Sequence, residues 1–284
     1  MATYKDIRGT NVKTVSSDPP APVNGQVWYN STDQVMKGFT SNPVGSWSTG
    51  VNINTARGVG EGAGNKTAAL VIGGKTPPGS AVALVESWDG SSWTEVNDLN
   101  TERGEAGAAG TSTSALAFGG KNTDMIGNTE SWAGSSWTEV ADLNTTRGVS
   151  GGNAGADNTS ALAFGGRTPP NTRVTNTESW NGSSWTEVND LNTARDEGGA
   201  NGEYTSALWY GGPSSTPHLG NTESWNGTSW SETGDLSTGR YGILPAAQGS
   251  NTGALAAGGY STAYIANTEE FTAPTTSTVT FTVS

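Results

Sequence analysis

A five-fold internal repeat runs through most of this 284-residue sequence. The segment SWDGSSWTEVNDLNTER begins at Ser87, near copies begin at Ser131, Ser179 and Ser224, and a partial copy covers 45–57. The second tryptophan of each copy lies ten residues before an arginine; these pairs are Trp47 and Arg57, Trp93 and Arg103, Trp137 and Arg147, Trp185 and Arg195, and Trp230 and Arg240. Successive tryptophans are 46, 44, 48 and 45 residues apart. Such a period predicts an array of similar structural units.

Each unit has the pattern of four short β-strands. A Gly-rich stretch precedes an apolar run such as TSALAF (113–118), which ends at a glycine pair and is followed by a variable loop and the triplet ESW. The link from ESW to SSW contains Asp, Asn or Ala and then Gly, which is typical of a tight hairpin with a glycine at positive φ. No segment has a convincing helical period, so we expect almost no helix.

The period and strand pattern predict an all-β fold, a β-propeller with one blade per repeat. The glycine pair, the aromatic residue and the tryptophan resemble the kelch motif over about 46–271, which implies a kelch-like propeller. The array begins with only a last strand, at Trp47, and ends after a third strand, at Phe271. We therefore predict five blades closed by an N-terminal strand, with these two residues in one sheet, because closure removes unpaired strand edges.

The segments outside the array define the remaining domain boundaries. Residues 1–45 contain the linker SSDPPAPVNG and an alternating stretch over 26–40, so they are interpreted as an attachment segment with a hairpin; the alternative, for these residues and for the C-terminal tail, is an extra strand packed against the ring. Residues 46–271 are the predicted propeller, and 272–284 are a tail with high β propensity.

Charge and composition argue against several functions. The formal net charge is −12, and the 14 basic residues form no cluster, so we expect no nucleic-acid partner and no binding to an anionic membrane. The chain has no cysteine, no apolar run of membrane-spanning length and no apolar segment typical of a secretory signal. We therefore expect synthesis in a cytoplasm, without membrane insertion or export by the usual route.

Catalytic and metal-binding patterns are scarce, and we expect no catalytic residues, metal or other cofactor. There is one histidine, His218, interpreted as a solvent-exposed loop residue. The carboxylates of the repeat are predicted to be structural, the glutamates at the ESW position pairing with the arginines; they are Glu86, Glu130, Glu178, Glu223 and Glu269. A stretch that breaks the repeat, with Asp196, Glu197, Asn201 and Glu203, is read as a solvated acidic loop in preference to a Ca²⁺ site.

Ligand-binding candidates come from the loops that differ between repeats, because loops on a rigid scaffold carry specificity. They are Arg167, Arg173, His218, Tyr260 and Tyr264, a set suited to a glycan or a protein surface. The recurring tryptophan pairs, such as Trp132 and Trp137, are expected to be core residues. Trp209 and Tyr210 are likewise expected to pack between blades.

The N-terminal segment suggests a biological setting. Gly25, the sequence WYNST (28–32) and the step GSW (45–47) are similar to N-terminal modules of tail and fibre proteins in tailed phages, particularly marine ones. That resemblance implies a non-enzymatic virion structural protein, a tail, fibre or other appendage component, attached to other virion proteins through its N-terminal part. The expected partners also include a host surface glycan or receptor and further copies of this chain. The alternatives are a freestanding carbohydrate- or protein-binding propeller and, less favoured, a glycan-active enzyme.

Overall fold

The computed structural model describes residues 13–17, 19, 27–38, 51–149, 152–213, 218–245 and 251–273. These residues form β-strands and loops and contain no helix. In the described ranges there is accordingly no helix that could span a membrane. The chain divides into two compact units, Met1–Gly50 and Val51–Ser284.

The first unit contains a three-stranded sheet. Its strands are β1 (Lys13–Val15), β2 (Val27–Asn30) and β3 (Val35–Gly38). β1 pairs parallel to β2, and β2 pairs with β3 in an antiparallel hairpin inside the 26–40 segment. The Asn30 side chain accepts hydrogen bonds from the backbone N–H groups of Thr32 and Asp33, at 3.0 and 3.1 Å, which fixes the turn.

The second unit contains one sheet per repeat. The first repeat forms β4 (Glu61–Asn65), β5 (Ala68–Ile72), β6 (Lys75–Thr76), β7 (Ser80–Ala81), β8 (Val85–Trp88) and β9 (Trp93–Glu95). The second forms β10 (Gly107–Gly110), β11 (Ala115–Phe118), β12 (Thr129–Trp132) and β13 (Trp137–Val140). The third forms β14 (Asn153–Asp157), β15 (Ser160–Phe164), β16 (Arg167–Thr168), β17 (Thr172–Arg173), β18 (Thr177–Trp180) and β19 (Trp185–Glu187). The fourth forms β20 (Gly199–Glu203), β21 (Ser206–Tyr210), β22 (Thr222–Trp225) and β23 (Trp230–Glu232), and the fifth β24 (Leu244–Pro245), β25 (Gly253–Ala257) and β26 (Thr268–Thr272).

The first four repeats each fold into a four-stranded antiparallel sheet, and the fifth contributes three strands within the described ranges. The third and fourth strands form the predicted hairpin, in which Trp132 pairs with Trp137 and Gly134 has a φ of 86°. The small ribbons β6–β7 and β16–β17 lie in the variable loops of the first and third repeats. The all-β prediction is thus confirmed at the level of the sheets.

Consecutive sheets contact one another through their first strands, in the order β4, β10, β14, β20 and β24. Backbone hydrogen bonds reinforce these contacts, from Glu105 N–H to the Val59 carbonyl and from Val149 N–H to the Glu105 carbonyl, both at 2.9 Å. Trp47, the predicted closing strand, lies outside the described residues, as does the tail after 273.

Buried ion pairs also join successive repeats. The arginine of each repeat binds the glutamate of the next ESW motif, in the pairs Arg57–Glu86, Arg103–Glu130, Arg147–Glu178, Arg195–Glu223 and Arg240–Glu269, at 2.5 to 3.0 Å. The same glutamates accept backbone N–H groups; Asn144 and Thr145, for example, donate to Glu178. Because buried charges must be paired and hydrogen-bonded, this network fixes how one repeat follows another. The predicted structural role of these carboxylates is confirmed.

The tryptophans form the cores between repeats. Trp132, Trp137, Trp180, Trp185, Trp225 and Trp230 are all buried, whereas Trp88 and Trp93 are half-buried. Trp209 is buried against Phe164, at 5.2 Å between ring centroids, and the Tyr210 hydroxyl donates to the Leu255 carbonyl of the next repeat. The prediction that these aromatic residues pack rather than bind ligand is confirmed for all but the first, half-buried pair.

Candidate ligand-binding cavity

A cavity of about 1020 Å³ is lined by residues from all five repeats. Its lining includes Val59, Glu61, Glu105, Lys121, Arg167, Asn171, Glu197, Tyr241, Tyr260 and Tyr264. Most of these residues come from two places in the repeat, the turn after the recurring arginine and the loop after the glycine pair. The repeat therefore brings its most variable positions to one place.

The turn after the arginine has an unusual backbone. Val59, Glu105 and Glu197, each two residues after the arginine of its repeat, have φ values of 48°, 55° and 49°. Residues other than glycine rarely adopt this left-handed backbone conformation, and strained residues of this kind cluster at functional sites. Here the turn positions two glutamates and a valine at the cavity wall.

Several charged groups at the wall are tied into pairs that cross between repeats. Lys75 Nζ lies 2.5 Å from Glu105 Oε1, and Arg167 lies 2.8 Å from Glu197 Oε1. Asp196 is buried and binds both Arg167 and Arg173, the latter at 2.6 Å. These pairs make the wall polar while leaving little net charge on it.

The interpretation of 196–203 as a solvated acidic loop is wrong for two of its four residues. Asp196 is buried because it forms the arginine pairs, and Asn201 is buried in β20, where its amide donates to the Gly253 carbonyl at 3.1 Å. Glu197 is half-buried at the cavity and Glu203 is exposed. Within the described ranges no group of three or more acidic or histidine side chains is placed to hold a metal ion.

Aromatic rings lie together at one side of the cavity. His218 contacts Tyr241 edge to face at 4.7 Å between centroids, Tyr241 lies 5.4 Å from Tyr260, and Tyr260 lies 5.2 Å from Tyr264. Tyr264 is 89% exposed, so its ring is open to a ligand. His218 is half-buried by these contacts, and its interpretation as a solvent-exposed loop residue is wrong.

The five candidate residues from the sequence thus fall around one cavity. Arg167, Tyr260 and Tyr264 line it directly. His218 reaches it through the tyrosine rings, and Arg173 through Asp196. Their role in ligand binding stays a prediction.

Glu61 is a cavity residue outside the set predicted from the sequence. It lines both the large cavity and a second one of about 360 Å³, so it lies where the two meet. Burial raises the pKa of Glu61 to about 8, since the charged carboxylate loses hydration there. Burial and then the neighbouring Asp196 charge likewise raise the pKa of Glu197.

The position of Glu61 is a glycine in the second and fourth repeats, namely Gly107 and Gly199. A Cβ at Gly107 would lie 2.4 Å from the Phe118 ring, and one at Gly199 would lie 2.3 Å from the Tyr210 ring. In the first repeat the residue opposite Glu61 is Ile72, which has no ring there. An acidic residue replacing a repeat glycine was therefore a signal that the sequence already contained.

Comparisons with known proteins add a fold relationship. No protein-family model matches the chain, and no curated protein matches it. The solved structure of YjhT superposes with a TM-score of 0.62, covering 75% of this chain and 80% of that one, at 14% sequence identity. At this identity the chain shares a fold with YjhT, and the likeness extends to the fold alone.

Proposed function

We propose that the repeats of Val51–Ser284 form a five-bladed kelch-like β-propeller. Three observations support this arrangement: the sheets contact one another in sequence order through their first strands, the arginine–glutamate pairs join each repeat to the next, and one cavity is lined by all five repeats. First strands that surround a common axis are the defining geometry of a propeller.

The N-terminal strand carrying Trp47 closes the fifth blade in this proposal. Trp185 and Trp230, from the fourth strands of their sheets, pack edge to face on Phe118 and Phe164 of the preceding repeats, both at 4.8 Å. In the fourth repeat, Tyr210 occupies the position of Phe118 and Phe164. It lines a groove together with Thr222, Leu236 and Phe271. Trp47 precedes Arg57 by the same ten residues as the other tryptophans precede their arginines, so its ring is the occupant that the repeat supplies.

The cavity binds a glycan in this proposal. The observation that carries it is the convergence of the variable positions of five repeats on one concave, mixed aromatic and charged surface. Exposed tyrosine rings such as Tyr264 can stack on the apolar face of a sugar, while carboxyl, guanidinium and amide groups hydrogen-bond its hydroxyls.

The biological role that we propose is a non-enzymatic phage virion protein, a tail, fibre or appendage component. Its N-terminal segment contacts other virion proteins, and the propeller contacts a host surface glycan or receptor. The support is the resemblance of residues 25–47 to phage tail modules together with a cavity suited to glycans. In this proposal the chain is synthesised in the host cytoplasm and is then assembled into the virion.

Two experiments test this role. Mass spectrometry of purified virions is expected to detect the chain, and particles without it would contradict the virion assignment in favour of a freestanding binding protein. The purified full chain is expected to bind host cells but not cells stripped of surface glycan. Tyr264→Ala should weaken that binding about tenfold, through the loss of one stacked ring.

A glycan-active enzyme is the second candidate, favoured by one observation. Glu61 and Glu197 both line the cavity with raised pKa values, and a glycosidase needs a carboxyl held protonated beside an ionised one. Release of reducing sugar from a host polysaccharide by the wild type, abolished in Glu61→Gln, would establish this activity in place of simple binding.

A further inference from the structure

The first residue after the glycine pair is basic in three successive repeats. These residues are Lys75, Lys121 and Arg167. Each forms a backbone bridge with the residue after a recurring arginine, namely Gly58, Gly104 and Gly148 respectively. The three cations therefore occupy equivalent places, one repeat apart, beside the cavity.

Two of the three cations have a glutamate to bind. Lys75 binds Glu105 of the second repeat, and Arg167 binds Glu197 of the fourth. Both glutamates lie two residues after a recurring arginine, Arg103 or Arg195, at the left-handed turn position. In both pairs, the cation after the glycine pair of one repeat binds a glutamate of the next repeat.

Lys121 breaks this rule because its partner position is a valine. The residue two after Arg147 is Val149, which is buried in an apolar cluster. Among the described residues no carboxylate pairs with the Lys121 ammonium, although Lys121 lines the cavity and is half-buried. A half-buried ammonium without a counter-ion favours binding of an anion.

The remaining charges around the cavity cancel. Lys75 offsets Glu105, and the two arginines Arg167 and Arg173 offset Asp196 and Glu197. Because burial raises the pKa of Glu61 to about 8, that carboxyl is uncharged near pH 7 and can donate a hydrogen bond. The cavity is thus locally cationic at Lys121, although the chain carries a formal net charge of −12 that salt screens over about 10 Å.

We propose that Lys121 forms an anion subsite in the cavity, and that the glycan bound there carries a carboxylate, sulfate or phosphate group. The subsite deepens the proposed glycan-binding function and rests on it for the sugar, but the anion contact itself depends only on Lys121. The aromatic rings of Tyr260 and Tyr264 lie in the same lining and would hold the sugar that carries the anionic group.

The test measures binding of inorganic sulfate and phosphate, and of dextran, dextran sulfate and carboxymethyl dextran, to the full chain. The wild type is expected to bind the free anions and to prefer both charged dextrans over dextran. Lys121→Gln should reduce affinity for the charged probes about tenfold or more and leave dextran unchanged, since it removes a charge-assisted hydrogen bond. Lys121→Arg should retain the preference, and Lys66→Gln, on an exposed lysine outside the cavity, should match the wild type.

The two proposals fail in different ways. If dextran binds as well as its charged derivatives, and Lys121→Gln changes neither, glycan binding stands and the anion subsite is overturned. If sulfate binds the wild type but not Lys121→Gln, while neither the dextrans nor glycan-bearing host cells bind, the subsite stands and the glycan function fails. A Lys121→Gln protein whose thermal unfolding matches the wild type excludes misfolding as the cause of lost binding.

Discussion

The indole Nε1 of Trp185 donates a 2.9 Å hydrogen bond to Thr129 Oγ1 on the preceding sheet. Trp230 makes the equivalent bond to Thr177, at 3.1 Å. Trp137 occupies the same place in the second sheet, but the acceptor position is Val85, in the same core cluster. No acceptor for the buried Trp137 Nε1 exists among the described residues. The first two repeats are therefore joined by a less complete set of contacts than the later ones.

Val85→Thr should stabilise the protein, because it supplies the missing acceptor with little change in volume. The expected gain is about 0.5–1.5 kcal/mol in the free energy of unfolding, measured by urea denaturation. Thr129→Val is the matched reverse change and should cost about 1–3 kcal/mol, since it leaves the Trp185 N–H unpaired. Equal stabilities of Val85→Thr and the wild type would show that the threonine contact contributes nothing.

Loss of charge from the inter-repeat glutamates should cost stability in proportion to their burial. Glu178 and its partner Arg147 have side chains 0% exposed, whereas Glu269 is 25% exposed. Glu178→Gln is expected to cost about 3–5 kcal/mol, because it leaves the Arg147 charge buried and unpaired. Glu269→Gln should cost clearly less, since water solvates that site. Similar losses for the two variants in urea denaturation would contradict this account.

The repeat made much of the fold predictable, and the reason is local. The glutamate of each ESW motif and the arginine before it recur at nearly fixed offsets, so one pairing rule applied five times, as with Arg103 and Glu130. Strand order followed from turn chemistry, because Gly134 and its equivalents needed a positive φ. Whether the sheets close was not decided by these local signals, because closure depends on contacts between the two ends of the array.

The candidate site was only partly predictable, because the burial and pairing of its residues depend on neighbours in other repeats. Tyr260 and Tyr264 were predictable as site residues, since their loop differs between repeats. Lys121 was not predictable, because its lack of a carboxylate partner depends on the valine at position 149. Asp196 was misread for the same reason: the two arginines that bury it come from the preceding repeat.

Asp196→Asn should loosen the loop that carries Arg167 and Arg173. Both guanidinium groups bind the Asp196 carboxylate, whose side chain is 3% exposed, and an amide cannot neutralise either of them. The expected cost is about 1–3 kcal/mol in the free energy of unfolding. Hydrogen exchange should also become faster at the amides of β16 and β17. Glu203→Gln, on an exposed carboxylate of the same repeat, is the control and should change neither measurement.

Glu61→Gln should flatten the dependence of stability on pH between about 5 and 8. The pKa of Glu61 rises from an ordinary value of 4.5 to about 8 on folding, so the folded chain holds an extra proton between these values. The stability that the protonated Glu61 carboxyl contributes is complete below about pH 4.5. It is lost as the pH rises towards about 8, at no more than about 1.4 kcal/mol per pH unit. The wild type is therefore expected to lose stability relative to Glu61→Gln across this range, as measured by urea denaturation at several pH values. Parallel curves for the two proteins would mean that the Glu61 carboxyl is hydrated and ionised in the cavity.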